Sequence, residues 1–311
     1  MKKNIKINKP ESYQIIFGAF LTILFDRFKK NKNDCFLEIG EYKLIKPIKK
    51  NYPSDFSVGI YQMRDKKYFV KTWRGYFKNL SYYSIINEYF VNKIIENQSI
   101  SLGGNKKLNF PKVVSFVKEE KTFSIIFKYI EGTNLETLSA EIKSELLSNI
   151  AKKLHGLSKK LTKNELIIFP KRSLSFYILT LPIITVCSLT LLRFHYFGKI
   201  LEYFKGALVN VFDKNNLNLE LSHRDLNPNN VIIKGNKVYL TDNEGMVFTI
   251  PNYDQTYLLC SPELLKLDNF NTNINYPSLF LRNYVLLHLI LIYAMLFGPK
   301  SNYVYRLLNY E

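Results

Sequence analysis

The sequence predicts an α+β protein with two lobes, a small strand-rich N-terminal lobe followed by a larger helical C-terminal lobe. Short runs with strand periodicity fill the first third of the chain, and longer segments with helical periodicity dominate the remainder. The chain has 311 residues, of which 47% are hydrophobic and 15% are aromatic. That is enough apolar material for a substantial core, so the composition excludes a disordered chain.

The predicted N-terminal lobe covers residues 36–130 and follows a helical extension over residues 1–35. Within the extension, Glu11–Phe28 has a narrow polar stripe on an otherwise apolar cylinder, which predicts a helix that is buried or lies in a membrane interface. The elements predicted within the lobe are a helix at Leu80–Asn97 and strands at Tyr42–Ile48, Ser57–Arg64, Lys67–Trp73, Val113–Val117 and Thr122–Tyr129.

The predicted C-terminal lobe covers residues 131–311. Helices are predicted at Leu135–Leu147, Ile150–Leu161 and Leu279–Phe297, and a hairpin at Val231–Ile233 and Lys237–Thr241. The run Ser173–Leu192 has no charged residue and is long enough to cross a bilayer, although Pro182 predicts a break or kink within it. Buried helices, a re-entrant pair and helices that lie in a membrane interface all remain open for this run.

The formal charge of +18 favours anionic partners such as nucleotides, phosphorylated compounds or an acidic membrane surface, although solvated lysine accounts for it equally well. No module for specific nucleic-acid recognition is present, and a monomer is expected. The three cysteines, Cys35, Cys187 and Cys260, lie far apart without ligand spacing, which argues against a zinc site or a disulfide framework and fits a reducing cytoplasm. The expected location is the cytoplasm, either free or peripheral on the inner face of the membrane.

Two loops carry the most specific pattern in the sequence. The first is Ser222–Asn230, which reads SHRDLNPNN, and the second is Val238–Gly245, which reads VYLTDNEG after a predicted hairpin. Together they resemble the catalytic loop and the metal-binding segment of the protein-kinase-like phosphotransferase superfamily, of the aminoglycoside or choline phosphotransferase or lipopolysaccharide kinase type. The resemblance implies a protein-kinase-like fold, with ATP and Mg²⁺ as cofactors.

By this resemblance, Asp225 accepts the proton of the substrate hydroxyl, and His223 and Arg224 support its loop. Asn230 and Asp242 hold Mg²⁺ on the ATP phosphates, as hard oxygen ligands suit that ion.

Further residues match the nucleotide site of the same superfamily. Lys71, in the run YFVKT, is similar to the strand lysine that contacts the phosphates, and Glu88 is its expected ion-pair partner, with Glu96 as the competing candidate. The segment IIFKYIEG resembles the hinge that binds adenine. There Phe127 would back the pocket, and Lys128, Tyr129 and Ile130 would offer backbone groups.

The implied function is an ATP-dependent kinase that transfers the γ-phosphate to a hydroxyl of a small-molecule, sugar or lipid-linked acceptor. Two alternatives stay open. A Ser/Thr protein kinase is supported by the HRD sequence and by Ser261-Pro262-Glu263. A non-catalytic pseudokinase or membrane-associated scaffold is supported by the single glycine within Lys49–Gly59, where protein kinases have a glycine-rich loop, and by the segment Asp-Asn-Glu-Gly in place of Asp-Phe-Gly.

Overall fold

The protein is described by a computed structural model over residues 39–48, 56–75, 79–210, 218–261 and 278–309. The predicted N-terminal helix and Cys35 lie outside these residues. Residues 49–55, which are most of the segment Lys49–Gly59 compared above with a glycine-rich loop, also lie outside them. The chain divides into two compact units. The first consists of Met1–Thr133, Lys160–Pro170 and Val231–Met246, and the second of Asn134–Lys159, Lys171–Asn230 and Val247–Glu311. The predicted lobe boundaries stay a prediction.

The secondary structure agrees with a strand-rich beginning and a helix-rich remainder. The strands are β1 (Lys43–Ile48), β2 (Phe56–Met63), β3 (Lys66–Arg74), β4 (Ile100–Gly103), β5 (Lys106–Asn109), β6 (Val113–Lys118), β7 (Thr122–Lys128), β8 (Thr133–Asn134), β9 (Lys171–Arg172), β10 (Glu220–Ser222), β11 (Val231–Lys234), β12 (Lys237–Leu240) and β13 (Val247–Thr249). The α-helices are α1 (Leu80–Ile95), α2 (Ala140–Leu154), α3 (Lys163–Leu166), α4 (Leu174–Leu191), α5 (Phe197–Val209), α6 (Tyr253–Cys260), α7 (Leu279–Phe297) and α8 (Asn302–Leu308).

The first unit is built on a five-stranded antiparallel sheet in the order β1-β2-β3-β7-β6. Its central strands are rich in β-branched and aromatic residues, which suit a pleated surface. Helix α1 packs on this sheet and buries Ile85 and Ile86 with Trp73, Phe123 and Ile125 in one apolar cluster. Asn79 caps the helix by accepting a hydrogen bond from the backbone N–H of Tyr82. The sheet and the helix together fix the position of Lys71 on β3.

A second sheet in the first unit was not predicted in full. The predicted hairpin of β11 and β12 is present, and β12 also pairs in parallel with β5, which forms a further hairpin with β4. The strands β4 and β5 have only four residues each, which is too short to show a clear hydrophobic period in the sequence. Gly103 and Gly104 form the turn between them, with φ of 106° and 53°. The segment that carries Asp242 follows β12 directly, so this sheet positions it.

The second unit is helical around a core centred on α7. Twelve residues of α7 are buried, and the helix packs against α4, α5, α6 and α8. A small sheet in the order β10-β13-β9 adjoins these helices, and the loop that carries Asp225 begins where β10 ends. The two helices predicted at Leu135–Leu147 and Ile150–Leu161 are joined in one α-helix, α2, because the polar Ser148 and Asn149 lie within its turns and do not break it. A 3₁₀ helix precedes α2 at Leu135–Thr137, and another follows it at His155–Lys160.

Helix α4 runs continuously through Pro182, so the helix does not break at the proline, where the sequence predicted a break or a kink. Proline lacks the N–H that would bond the carbonyl of Ile178, and both residues lie on the exposed side of α4, where that carbonyl can be solvated. Within the described residues, α4 and α7 are long and apolar enough to cross a membrane by length and composition alone, with mean hydropathies of 2.0 and 1.8. The share of each that is buried differs, 28% for α4 and 67% for α7.

Candidate active site

Lys71 is the centre of a cluster of charges in the first unit. Its Nζ lies 2.9 Å from Oε2 of Glu88, 2.5 Å from Oδ1 of Asp242 and 2.7 Å from Oε2 of Glu244. The side chains of Lys71 and Glu88 are each only 4% exposed, whereas those of Asp242 and Glu244 are about one third exposed. Phe56 covers the ammonium with its ring at 4.4 Å. The structure therefore gathers Lys71, Glu88 and Asp242, three residues singled out in the sequence, in one place.

The charges of this cluster are not balanced. Burial alone would lower the pKa of Lys71, but the carboxylates of Asp242, Glu244 and Glu88 more than offset it and hold that pKa well above its usual range. Burial raises the pKa of Glu88 to about 7. The positive charge of Lys71 lowers this pKa, and the negative charges of Asp242 and Glu244 raise it further. One ammonium faces three carboxylates, so a cation or a proton is needed to neutralise the cluster.

The alternative partner for Lys71 has a different role. Glu96 accepts a 2.7 Å hydrogen bond from the backbone N–H of Val113 and lies 3.4 Å from the ammonium of Lys93. It therefore ties the end of α1 to β6 and does not reach Lys71. Glu88 lies two helical turns earlier, on the side of α1 that faces the segment Asn243–Gly245. Asn87 fixes that segment by donating a 2.8 Å hydrogen bond to the carbonyl of Glu244.

The predicted hinge follows β7 in the first unit. Phe127 is buried and contacts the ring of Phe69 on β3. The amide of Lys128 donates to the carbonyl of Lys112 at 2.9 Å, and that of Tyr129 to the carbonyl of Lys67 at 3.4 Å. Among the described residues, the amide of Ile130 has no protein acceptor. Among the three residues that were predicted to offer backbone groups to adenine, only Ile130 therefore has an N–H that the described protein does not engage.

The loop after β10 holds Asp225 in the second unit with its side chain exposed. The hydroxyl of Tyr257 donates to Oδ1 of Asp225 at 2.8 Å, and Nδ2 of Asn227 donates to the same oxygen at 3.0 Å. Nδ2 of Asn230 donates to the other oxygen, Oδ2, at 3.1 Å and to the backbone carbonyl of Asp225 at 2.9 Å. These hydrogen bonds orient the carboxylate of Asp225, and the side-chain amide oxygen of Asn230 is a hard oxygen of the kind that suits a cation.

Asp254 organises the same loop from helix α6. Its buried carboxylate accepts hydrogen bonds from Oγ of Ser222 at 2.7 Å and from the backbone N–H groups of His223 and Arg224, both at 2.8 Å. Arg224 has φ of 69°, in the left-handed region that non-glycine residues rarely adopt, and its guanidinium lies over the ring of Tyr253 at 5.1 Å. The carboxylate therefore stabilises a strained backbone immediately before Asp225.

Three residues of these clusters were not assigned a role from the sequence. Glu244 lies two residues after Asp242, where its acidity within Asp-Asn-Glu-Gly was a visible signal of a second carboxylate. Asp254 lies 30 residues after Arg224 in the sequence, so no local pattern marks it as a support of that loop. Tyr257 gave no signal, because its contact with Asp225 spans 32 residues of sequence and depends on how α6 packs.

Comparisons with known proteins identify the fold. No protein-family model matches the sequence, and no curated protein matches it. Among solved structures, a thermostable mutant of the aminoglycoside phosphotransferase APH(4)-Ia with AMP-PNP and hygromycin B matches with a TM-score of 0.60 at 12% identity, over 93% of this chain and 95% of that one. Spectinomycin phosphotransferase APH(9)-Ia with ADP and spectinomycin matches with a TM-score of 0.53 at 13% identity, over 86% and 90%. At such identity the likeness shows the fold alone, and it confirms the predicted α+β, protein-kinase-like fold.

The donor atoms of the first unit fit a hard cation. Within the described residues, Glu88, Asp242 and Glu244 each offer a carboxylate oxygen, and these oxygens lie within 4.8 Å of one another. Glu88 is buried and bound to Lys71, so Asp242 and Glu244, which are partly exposed, are the two that suit Mg²⁺. Asp242 has φ of 58°, again in the left-handed region, which is a second strained residue at a position singled out in the sequence.

Proposed function

We propose that the protein is an ATP- and Mg²⁺-dependent phosphotransferase that acts on a hydroxyl group of a small-molecule acceptor. The observation that carries this proposal is the cluster in which one buried lysine meets three carboxylates, two of them partly exposed. A purely structural ion pair needs one partner for Lys71, whereas a site for Mg²⁺ and phosphate needs both a cation and surplus carboxylates.

In this proposal, Lys71 binds phosphate oxygens of ATP and Glu88 keeps its ammonium in place. Asp242, with Asn230 as the second predicted ligand, holds Mg²⁺, and Glu244 adds a further carboxylate beside Asp242. Bound Mg²⁺ supplies positive charge that offsets the charge of the phosphates. Phe127 backs the adenine pocket and Ile130 offers its backbone N–H to the adenine edge, while the backbone carbonyls at Lys128 and Tyr129 are the other candidate contacts.

Asp225 is the proposed general base. The acceptor oxygen forms a bond to the γ-phosphorus, the bond from that phosphorus to the β-phosphate oxygen breaks, and the acceptor proton passes to the Asp225 carboxylate. Hydrogen bonds from Tyr257, Asn227 and Asn230 orient the carboxylate. Because phosphoryl transfer depends chiefly on positioning and charge, a fixed carboxylate is sufficient help from this loop.

The acceptor class rests on the relatives in fold. Two of the solved structures with this fold are phosphotransferases in complex with spectinomycin or hygromycin B, which supports a small-molecule acceptor. A sugar or a lipid-linked compound belongs to the same chemical class of acceptor. We propose a cytoplasmic site of action, since ATP is the proposed substrate, and a monomer as the working unit.

The test follows transfer to water, which needs no added acceptor, together with transfer to candidate acceptors. The purified protein is incubated with Mg-ATP, alone and with a panel of aminoglycosides, aminocyclitols, amino alcohols and sugars, and ADP release is followed. Asp225→Asn should lower ADP release at least 100-fold while Mg-ATP still binds, because it removes the proposed base and leaves the residues proposed to bind the nucleotide unchanged. The control is Asn229→Ala, which changes an exposed side chain of the same loop.

The outcomes separate the candidate functions. Acceptor-stimulated ADP release that Asp225→Asn abolishes supports the small-molecule kinase. Transfer of labelled phosphate to the protein itself or to a protein substrate supports a Ser/Thr protein kinase instead. Mg-ATP binding without any turnover, in both the wild type and the variant, contradicts the proposal and supports the pseudokinase.

A further inference from the structure

Helix α4 exposes an apolar face. Its exposed residues recur three and four positions apart and therefore form one stripe, which contains Ile178, Leu179, Pro182, Ile183 and Val186. We call this stripe the α4 face. The opposite side of α4, with Tyr177, Leu181, Ile184 and Leu189, packs into the core of the second unit. A surface helix of a globular protein normally has polar residues opposite its buried side, and α4 has none in this stripe.

The polar groups at the ends of the α4 face are satisfied without water. The hydroxyl of Thr190 donates to the carbonyl of Val186 at 2.8 Å, and the hydroxyl of Ser175 lies 2.7 Å from that of Ser173. Such bonds suit a helix side that meets an apolar medium. Pro182, however, leaves the carbonyl of Ile178 without its helical N–H partner, and a polar group of this kind belongs near water or lipid headgroups rather than in a bilayer centre.

The turn after α4 extends the apolar surface. Arg193 and Phe194 both have left-handed backbones, with φ of 50° and 60°, which is costly for residues other than glycine. The turn is held by a 2.9 Å hydrogen bond from the amide of Phe194 to the carbonyl of Leu189. In this conformation the rings of Phe194 and Phe197 are exposed. Strain of this kind persists where the surroundings enforce it, and here its effect is to keep an aromatic ring outside the core.

The charged residues that adjoin the α4 face in the sequence have one sign. From Leu166 to Leu201 the sequence contains no Asp or Glu, and it contains Lys171, Arg172, Arg193 and Lys199. Lys171 and Arg193, which flank the two ends of α4, are exposed. Arg172 lies over the ring of Phe176, and Lys199 lies 3.2 Å from Glu202, so these two have partners within the protein. The segment that carries the face is therefore complementary in charge to an anionic surface.

We infer that the α4 face docks on an anionic lipid bilayer. Its apolar side chains and Phe194 enter the boundary between headgroups and acyl chains, and Lys171 and Arg193 contact lipid phosphates. The helix lies in the plane of the surface, because its other side remains packed in the core of the second unit. A second copy of the chain is the rival occupant, but two such faces would bring like charges together.

The test measures binding to vesicles of phosphatidylcholine alone and to vesicles in which about a quarter of the lipid is phosphatidylglycerol. The variant is Leu179→Ser/Ile183→Ser/Val186→Ser, which should weaken partitioning into the anionic vesicles roughly tenfold or more. The matched control is Ile167→Ser/Val114→Ser/Tyr305→Ser, because the exposed fractions of its three side chains are 68%, 43% and 62% against 69%, 47% and 61% in the variant. Circular dichroism and the Tm establish that both proteins fold.

A second variant tests whether Lys171 and Arg193 contact the lipid phosphates. Lys171→Gln/Arg193→Gln should lower binding to the anionic vesicles severalfold and abolish most of the dependence on phosphatidylglycerol and on salt. Equal binding by the wild type and the α4-face variant overturns the inference, as does failure of the wild type to bind either vesicle. Light scattering that shows a dimer of the wild type and a monomer of the α4-face variant overturns it in favour of a second copy. None of these measurements depends on phosphotransferase activity.

Discussion

The ammonium of Lys71 and the carboxylate of Glu88 lie 2.9 Å apart, although the two residues belong to a strand and a helix and both side chains are almost fully buried. The pair is not isolated, since Asp242 and Glu244 also reach the same ammonium. A buried pair of this kind contributes little stability by itself, because the desolvation of both charges offsets their attraction. We therefore expect the buried charges to show themselves in how the stability of the protein depends on pH.

The first prediction concerns Glu88 and pH. Burial raises the pKa of Glu88 to about 7 from the ordinary value of 4.5, so between these values the folded protein binds more protons than the unfolded chain. The free energy of unfolding should therefore fall as pH rises through this window, and Glu88→Gln should remove that part of the dependence. Urea denaturation of both proteins at several pH values measures it. Parallel pH profiles for the wild type and the variant would show that Glu88 titrates normally.

The second prediction concerns His288 and has the opposite sign. Burial, with repulsion from Arg224 and Arg172, lowers the pKa of His288 to about 3 from 6.5. Within that window the unfolded chain binds more protons, so stability is present above pH 6.5 and is lost as pH falls. His288→Gln should therefore flatten the acid side of the stability profile, as measured by Tm against pH. An unchanged acid limb in the variant would contradict this assignment.

The third prediction concerns Asp254. Its carboxylate accepts three hydrogen bonds from the loop that precedes Asp225, and the amide of an asparagine cannot accept all three. Asp254→Asn should destabilise the protein by roughly 2–4 kcal/mol and lower turnover strongly, since the left-handed Arg224 loses its support. Ser222→Ala, which removes one of the three bonds, should have about one third of the effect on stability. Equal stability of Asp254→Asn and the wild type would show that the loop holds its shape without the carboxylate.

The fourth prediction concerns Tyr257, which orients Asp225 through a 2.8 Å hydrogen bond. Tyr257→Phe should lower kcat about tenfold with little change in KM for ATP, because the base is positioned less well and the first-unit cluster is untouched. Steady-state kinetics of ADP release measures both constants. Tyr305→Phe, at an exposed tyrosine, is the control. A rise in KM for ATP at unchanged kcat would place Tyr257 in binding rather than in the support of Asp225.

Much of the first unit could be predicted from the sequence. The strands β1, β2 and β3 and helix α1 begin within one residue of their predicted starts, because their apolar periods are clear and turns separate them. The hairpin of β4 and β5 could not be predicted in the same way. Its strands gain their stability from the parallel pairing of β5 with β12, which lies more than 120 residues further along the sequence.

Residues of the candidate site could be predicted where they belong to a local sequence motif, but not where their role depends on a contact with a residue far away in the sequence. Lys71, Asp225, Asn230 and Asp242 occur within recognisable local patterns. The choice of Glu88 over Glu96 depends on helical register and packing, and the structure pairs Glu88 with Lys71 and Glu96 with Val113. The contacts of Asp254 and Tyr257 depend on the packing of α6 against the loop after β10, which no local pattern reveals.

The most direct test of the account is calorimetric titration of the protein with ATP in the presence and absence of Mg²⁺. The wild type should bind Mg-ATP, and Lys71→Met and Asp242→Asn should each weaken binding roughly tenfold or more, because the first removes the cation proposed to bind the phosphates and the second removes a carboxylate proposed to hold Mg²⁺. The control, Lys67→Met, changes an exposed lysine of the same strand and should bind like the wild type. Magnesium-dependent binding that both site variants lose would support the account. Absence of binding by the folded wild type, or affinities that the two site variants leave unchanged, would contradict it.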